Sequence, residues 1–179
     1  MADLKAITER LRSFASRRPT PEQRAEVVAA LSSKWEGVQA TAVRVLAGWG
    51  DRDAVGLLSQ LLTRSFDRTH GWSLRGVIVH ALRPVVTAED VDWVLDLYFT
   101  LPGLMPKHEL LWLVTALSPA AARDRLVAAL RDPRWDNRQA AVKAIGNTDY
   151  PDRRQLLWPL RDDPDPQVRA SARLLSADV

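Results

Sequence analysis

Residues 137–147 read NRQAAVKAIGN, and four other stretches superimpose on them without a gap. They are VQATAVRVLAG from Val38, LRGVIVHALRP from Leu74, ELLWLVTALSP from Glu109 and VRASARLLSAD from Val168. Their starts lie 36, 35, 28 and 31 residues apart, a mean of 32.5. The fifth position is always small or apolar (Ala42, Ile78, Leu113, Ala141, Ala172), and so is the eighth (Val45, Ala81, Ala116, Ala144, Leu175). Positions three apart share one face of a helix, so each stretch is a helix that buries that face. A pattern recurring at this period is one helical unit used several times, each needing its neighbours to complete a core.

Working outward, each of these helices follows another helical stretch. PEQRAEVVAALSS, DAVGLLSQLLTRS, AEDVDWVLDLYFTL, AARDRLVAALRD and DRRQLLWPLRD all place apolar residues at helical spacing. In front of them, Leu4, Ile7, Leu11 and Phe14 line one face of a helix with a basic outer side, a cap over residues 1–18. Residues 19–179 then hold the helix pairs, and the whole chain reads as one domain with no linker. No stretch alternates as a strand would, so the expected class is all-α. The punctuation agrees. Thr20-Pro21 with Gln23 spells a capping box with proline in the first turn, and Thr87 with Asp90 spells a shorter version. Ser118-Pro119 and Asp165-Pro166 are further helix starts. Pro84 is expected to end its helix near Arg83, and Pro159 to tighten a final turn.

The last two pairs are the most specific. Leu130-Arg131-Asp132-Pro133, followed by the 137–146 stretch, resembles a short HEAT-like repeat of the phycobilisome-lyase type, and Asp162-Asp163-Pro164-Asp165-Pro166-Gln167-Val168-Arg169 resembles it more closely. The resemblance implies an α-solenoid of about five HEAT-like helix pairs behind the N-terminal capping helix, with the second helices lining its concave side. It also implies a ladder between neighbouring repeats, made by an aspartate in the inter-helix turn and an arginine opening the second helix. The matching residues are Asp132 or Asp136 with Arg138, and Asp163 or Asp165 with Arg169. Arg75 fits the arginine position, whereas Gln39 and Leu110 depart from it, so the ladder is expected to be incomplete there. Bilin chemistry is not implied, since such repeats serve many functions.

Composition narrows the function classes. In 179 residues there are 25 Lys+Arg against 22 Asp+Glu and no cysteine. The first 18 residues alone hold five basic and two acidic side chains, which is the whole excess of +3. Without cysteine there is no disulfide framework, thiolate nucleophile or iron–sulfur site. No apolar secretory core and no apolar run of membrane-spanning length occurs, so a cytoplasmic protein without membrane contact is expected. His70, His80 and His108 fall in no metal-ligand spacing, and no glycine-rich phosphate loop is present. Neither a metal nor a cofactor is expected. Glu89, Asp92 and Asp96 lie on one helix face without a His or Cys partner and read as a solvated acidic face.

The expected binding surface is the outward face of the second helices. Position seven of the repeat gives Arg44, His80, Thr115, Lys143 and Leu174. Arg44, Arg75, His80, Arg83 and Lys143 are the candidate partner contacts, a basic stripe suited to an acidic protein surface. Trp35, Trp72 and Trp135 each stand at the turn opening a second helix. They form either an aromatic edge for a partner or a staple closing each helix start. Trp49, Trp93, Trp112 and Trp158 fall beside apolar faces, where packing is expected. The leading expectation is therefore a non-enzymatic protein-binding module, an adaptor, regulator or inhibitory partner. The alternative is nucleic-acid binding, including an alkylpurine DNA glycosylase-like enzyme, to which Trp135-Asp136 with Arg138 and Lys143 bears a distant compositional similarity.

Overall fold

A computed structural model describes residues 4–15, 18–50, 52–66 and 72–177, with the side chains of Trp72 and Ser73 left out. His70 lies outside the described residues. The helices are α1 (Leu4–Ser13), α2 (Pro21–Ala30), α3 (Glu36–Gly48), α4 (Ala54–Phe66), α5 (Trp72–Leu82), α6 (Val91–Thr100), α7 (Leu104–Val114), α8 (Pro119–Ala129), α9 (Trp135–Gly146), α10 (Arg153–Leu157) and α11 (Pro166–Leu175). Two 3₁₀ turns, Ala88–Asp90 and Trp158–Asp162, precede α6 and extend α10. No strand occurs among the described residues. The class is all-α: one helix, then the pairs α2/α3, α4/α5, α6/α7, α8/α9 and α10/α11.

Local chemistry sets the helix limits. Thr20 accepts from the Gln23 N–H while the Gln23 side chain accepts from the Thr20 N–H, closing the capping box at α2. Thr87 and Asp90 do the same around the first 3₁₀ turn. Asp165 accepts from the Gln167 and Val168 N–H groups at the start of α11. Ser118 occupies the cap position of α8 but makes no side-chain cap bond, so Pro119 alone marks that start. α5 stops at Leu82, two residues before Pro84. Pro159 falls where α10 tightens into 3₁₀ geometry, since its ring removes a donor from the helical ladder.

The chain forms two compact units, residues 1–85 and 86–179. In the first, α3 packs against α1, α2 and α5, and α4 packs on α5. Leu11, Val27, Ala42, Val43, Leu46, Leu58, Leu62, Ile78 and Leu82 make its core. The buried Leu11 and Phe14 seat α1, and the Trp49 indole N–H donates to the Phe14 carbonyl at 3.1 Å. The second unit stacks α7 on α9 and α9 on α11, with α6 and α8 behind them. Its core includes Val94, Leu95, Tyr98, Leu110, Leu113, Leu126, Ala141, Ile145, Leu157, Val168 and Ala172. Within each unit, side-by-side stacking of second helices is the packing of an α-solenoid.

Small residues let these helices approach. A side-chain carbon added at Gly146, in the last turn of α9, would stand 2.6–2.9 Å from the Leu175 side chain of α11. Gly76 on α5 is the opposite case, since nothing lies within 4 Å of the same position.

Candidate functional site

In the first unit the repeat register turns Arg44 of α3 and His80 of α5 outward, as position seven requires. Both line one open groove of about 750 Å³, floored by Ala47, Gly48, Gly76, Val77 and Ala81 and ending at Pro84. No carboxylate stands among its described lining residues. Arg83 is exposed just beyond α5, outside that lining. Arg75 requires a correction. It is only 7% exposed, its guanidinium lies 4.9 Å over the Phe66 ring, and it donates to the Ser65 carbonyl at 3.0 Å. As position two of the repeat it faces inward, so it fastens its own helix pair and offers a partner no contact surface.

Lys143 belongs to the second unit, half-buried on α9. Trp35, at the cap position of α3, is half exposed with the Lys34 ammonium 5.3 Å over its ring. Trp135, the first residue of α9, also keeps an exposed face. The Trp72 side chain lies outside the described residues. Two tryptophans expected to be packed away keep half or more of their surface exposed, Trp112 at 58% and Trp158 at 50%. Both satisfy helical spacing, which reports a face but cannot say whether a neighbour covers it.

The second unit contains the ladder, with pairings that correct the sequence reading. Arg138 donates from Nε and Nη2 to the two Asp163 oxygens, each at 2.8 Å. Its Nη1 reaches the Asp132 and Pro133 carbonyls at 2.9 and 3.1 Å. Asp132 therefore serves Arg138 through its backbone, while its carboxylate accepts from the Arg134 N–H and the Asn137 amide. Asp165 caps α11 and does not pair with Arg169. Arg169 donates to the Asp163 and Pro164 carbonyls at 2.5 and 2.8 Å and reaches no carboxylate among the described residues. The Arg138 hydrogen bonds hold the Asp163 carboxyl below its usual range against the opposing effect of burial, and Asp163 in turn raises Arg138. A planar guanidinium suits this task, because its fork matches a carboxylate and a third nitrogen remains for the turn.

Lys107 completes the rung that Leu110 leaves open. It is 2% exposed and donates to the Tyr98 and Leu101 carbonyls at 2.8 and 2.9 Å, with Asp136 at 4.0 Å. Asp136 also accepts from the Gly103 N–H at 2.9 Å and from Arg134 Nη2 at 2.7 Å. Burial lowers the Lys107 ammonium to about 8 despite the pull of Asp136. Burial alone would raise the Asp136 carboxyl, yet Arg134, Gly103 and Lys107 together hold it below its usual range. The two shifts differ because the carboxylate has several donors to replace water, whereas the ammonium faces two carbonyls and one distant charge. Gln39, the other departure, keeps half of the role: its amide donates to the Leu31 carbonyl at 3.0 Å. The signal for Lys107 was present in the sequence, a lone cation one turn before Leu110 on the same apolar face.

The acidic face is occupied structurally. Arg125 of α8 holds both Asp92 and Asp96 of α6, at 3.2 and 2.5 Å. No group of three metal-ligating side chains occurs among the described residues, and no described helix is long and apolar enough to cross a membrane.

Residues 106–176 match the family of HEAT repeats. No curated protein is similar to the chain in sequence. Among solved structures, a designed armadillo repeat protein shares 16% identity at a TM-score of 0.46, over 98% of this chain and 94% of that one. An engineered protein gives 16% and 0.46 over 98% and 90%. A designed armadillo repeat protein in complex with the peptide (KR)4 gives 18% and 0.45 over 96% and 91%.

Proposed function

We propose, from the HEAT repeats over residues 106–176 and the helix pairs that precede them, that this protein is a non-enzymatic protein-binding module. Its binding surface is the outward side of its second helices, and the α3/α5 groove takes an acidic segment of the partner. The observation behind this reading is the groove itself: Arg44 and His80 stand over a floor of glycine, alanine and Val77 with no carboxylate among the described lining residues. A floor without large side chains lets a partner's main chain come close, and a cation beside it favours a carboxylate. Gly76 adds support. An exposed glycine inside a helix costs about 1 kcal/mol against alanine, and no packing contact at this position requires it. The first unit also holds 13 Lys+Arg against 8 Asp+Glu in sequence, which steers acidic partners towards it. We place the protein in the cytoplasm, a setting its cysteine-free sequence suits.

The test compares proteins retained from native lysate by the full chain with those retained by Gly76→Trp and Arg44→Glu. A Cβ at position 76 meets nothing within 4 Å, so Gly76→Trp enters the groove from an open position and its helix content is expected to be unchanged. A protein that binds the parent chain and is lost with both variants supports the reading. Retention of nucleic acid alone, or of the same proteins by all three chains, overturns it.

A further inference from the structure

We propose that Arg154, Trp158 and Arg161 form a docking site for a peptide segment combining a carboxylate with an apolar side chain. The three residues follow one another at i, i+4 and i+7 along α10 and its 3₁₀ extension, so they share one face. The Arg161 guanidinium lies 4.1 Å and the Arg154 guanidinium 5.5 Å from the centroid of the Trp158 ring. Half of the indole remains in solvent.

The element presenting this cluster is fixed from both sides. Leu157 and Leu160 are buried on either side of the tryptophan, Pro159 restricts the backbone between them, and the Arg161 carbonyl accepts from Arg173 Nε at 3.1 Å. A partner therefore meets an indole already held in place, with little ordering left to lose.

The described aspartates that follow Arg161 are engaged elsewhere. Of the aspartates that follow it, Asp162 lies 3.7 Å from Arg173, Asp163 belongs to Arg138, and Asp165 caps α11. Among the described residues no carboxylate pairs with Arg161. A guanidinium stacked on an indole keeps its N–H edge in its own plane, where a carboxylate can accept two hydrogen bonds. An apolar side chain beside that carboxylate then covers the rest of the ring. Trp and Arg are the residues on which binding energy concentrates at protein interfaces.

A nucleic-acid strand fits less well. It brings a phosphate with every nucleotide, and the exposed Asp162 carboxylate follows Arg161 in the sequence. The second unit holds 14 Asp+Glu against 12 Lys+Arg in sequence, and the patch has one aromatic ring where strand-binding surfaces use successive ones.

The experiment follows the indole N–H resonances of the full ¹⁵N-labelled chain at low salt, with the Trp158 signal identified by Trp158→Phe. The probe is the blocked pentapeptide acetyl-Glu-Leu-Glu-Leu-Glu-amide, with its glutamine analogue and an oligothymidylate of the same length for comparison. The expected result is a saturable shift of the Trp158 signal by the glutamate peptide alone, weakened about threefold or more by Arg161→Gln. Unchanged indole signals elsewhere show that this variant folds, as expected when the neighbouring Arg173 uses only the Arg161 backbone. No saturable shift, an equal shift by the glutamine peptide, an equal or larger shift by the oligothymidylate, or no effect of Arg161→Gln overturns the proposal.

Discussion

Arg138 binds both oxygens of Asp163 at 2.8 Å while its third nitrogen reaches the Asp132 and Pro133 carbonyls of its own turn. One side chain thus fastens the α8/α9 turn and joins it to the following repeat. Both partners are largely buried, so removing either leaves a charge without its counterpart. Arg138→Gln and Asp163→Asn are each expected to lower unfolding free energy by about 2–4 kcal/mol. Urea unfolding of both single variants and the double variant checks this, and the double variant should lose markedly less than the two single losses combined.

Acid should act through the same carboxylates. Asp163 and Asp136 are held below their usual range in the folded chain. Folded protein then binds fewer protons than unfolded protein across that interval. Their contribution is complete above the ordinary carboxylate range and is lost as pH falls through the folded values. The urea midpoint is expected to fall below about pH 5 in the parent chain, and less steeply in Asp163→Asn.

Lys107 runs the other way. Burial lowers it to about 8 from 10.5, so the folded chain gives up this proton first. Between those two values the unfolded state holds more protons, and stability attributable to this residue rises with pH. The difference in unfolding free energy between the parent chain and Lys107→Met, measured from neutral to alkaline pH, should therefore grow in the parent's favour. A flat difference would show that the ammonium is not penalised by its surroundings.

Two glycines should answer alanine oppositely. At Gly146 the added carbon meets the Leu175 side chain, including its Cβ, at 2.6–2.9 Å, so α9 and α11 must separate. A loss of about 1–3 kcal/mol is expected, and Leu175→Ala introduced with it should recover part of that loss. Gly76→Ala meets open space and should stabilise α5 by up to about 1 kcal/mol. Thermal melts of both variants separate the readings.

The repeat, its helix pairs and most helix starts were legible in the sequence because each depends on near neighbours: the capping box at Thr20, the stop before Pro84, the buried position five. Position eight is buried at Val45, Ala81 and Ala144 but only half-buried at Leu175 and at Ala116, which lies beyond the end of α7. Ladder pairings were less legible because they join residues 25 or more apart. Three aspartates stand within four positions at 162–165, and only packing decides that Asp163 meets Arg138 while Asp165 caps α11. Arg75 was misread because a basic residue on a second helix can be turned outward for a partner or inward onto a carbonyl, and composition is the same in both cases. Trp112 and Trp158 were misread for a related reason, since an apolar stripe does not say how much of it a neighbour covers. Arg44 and His80 could be placed because position seven is fixed by the helical period alone.

Arg169 grips the carbonyls of its own turn just as Arg138 does, yet among the described residues its fork meets no acid. Where it forms, the fastening therefore has a direction: the α8/α9 repeat supplies the socket and its successor supplies the plug. A designer lengthening this chain beyond α11 would find the coupling half built. An added helix pair with an aspartate at the place of Asp163 should seat on Arg169, whereas one with asparagine there would have to rely on its apolar face alone.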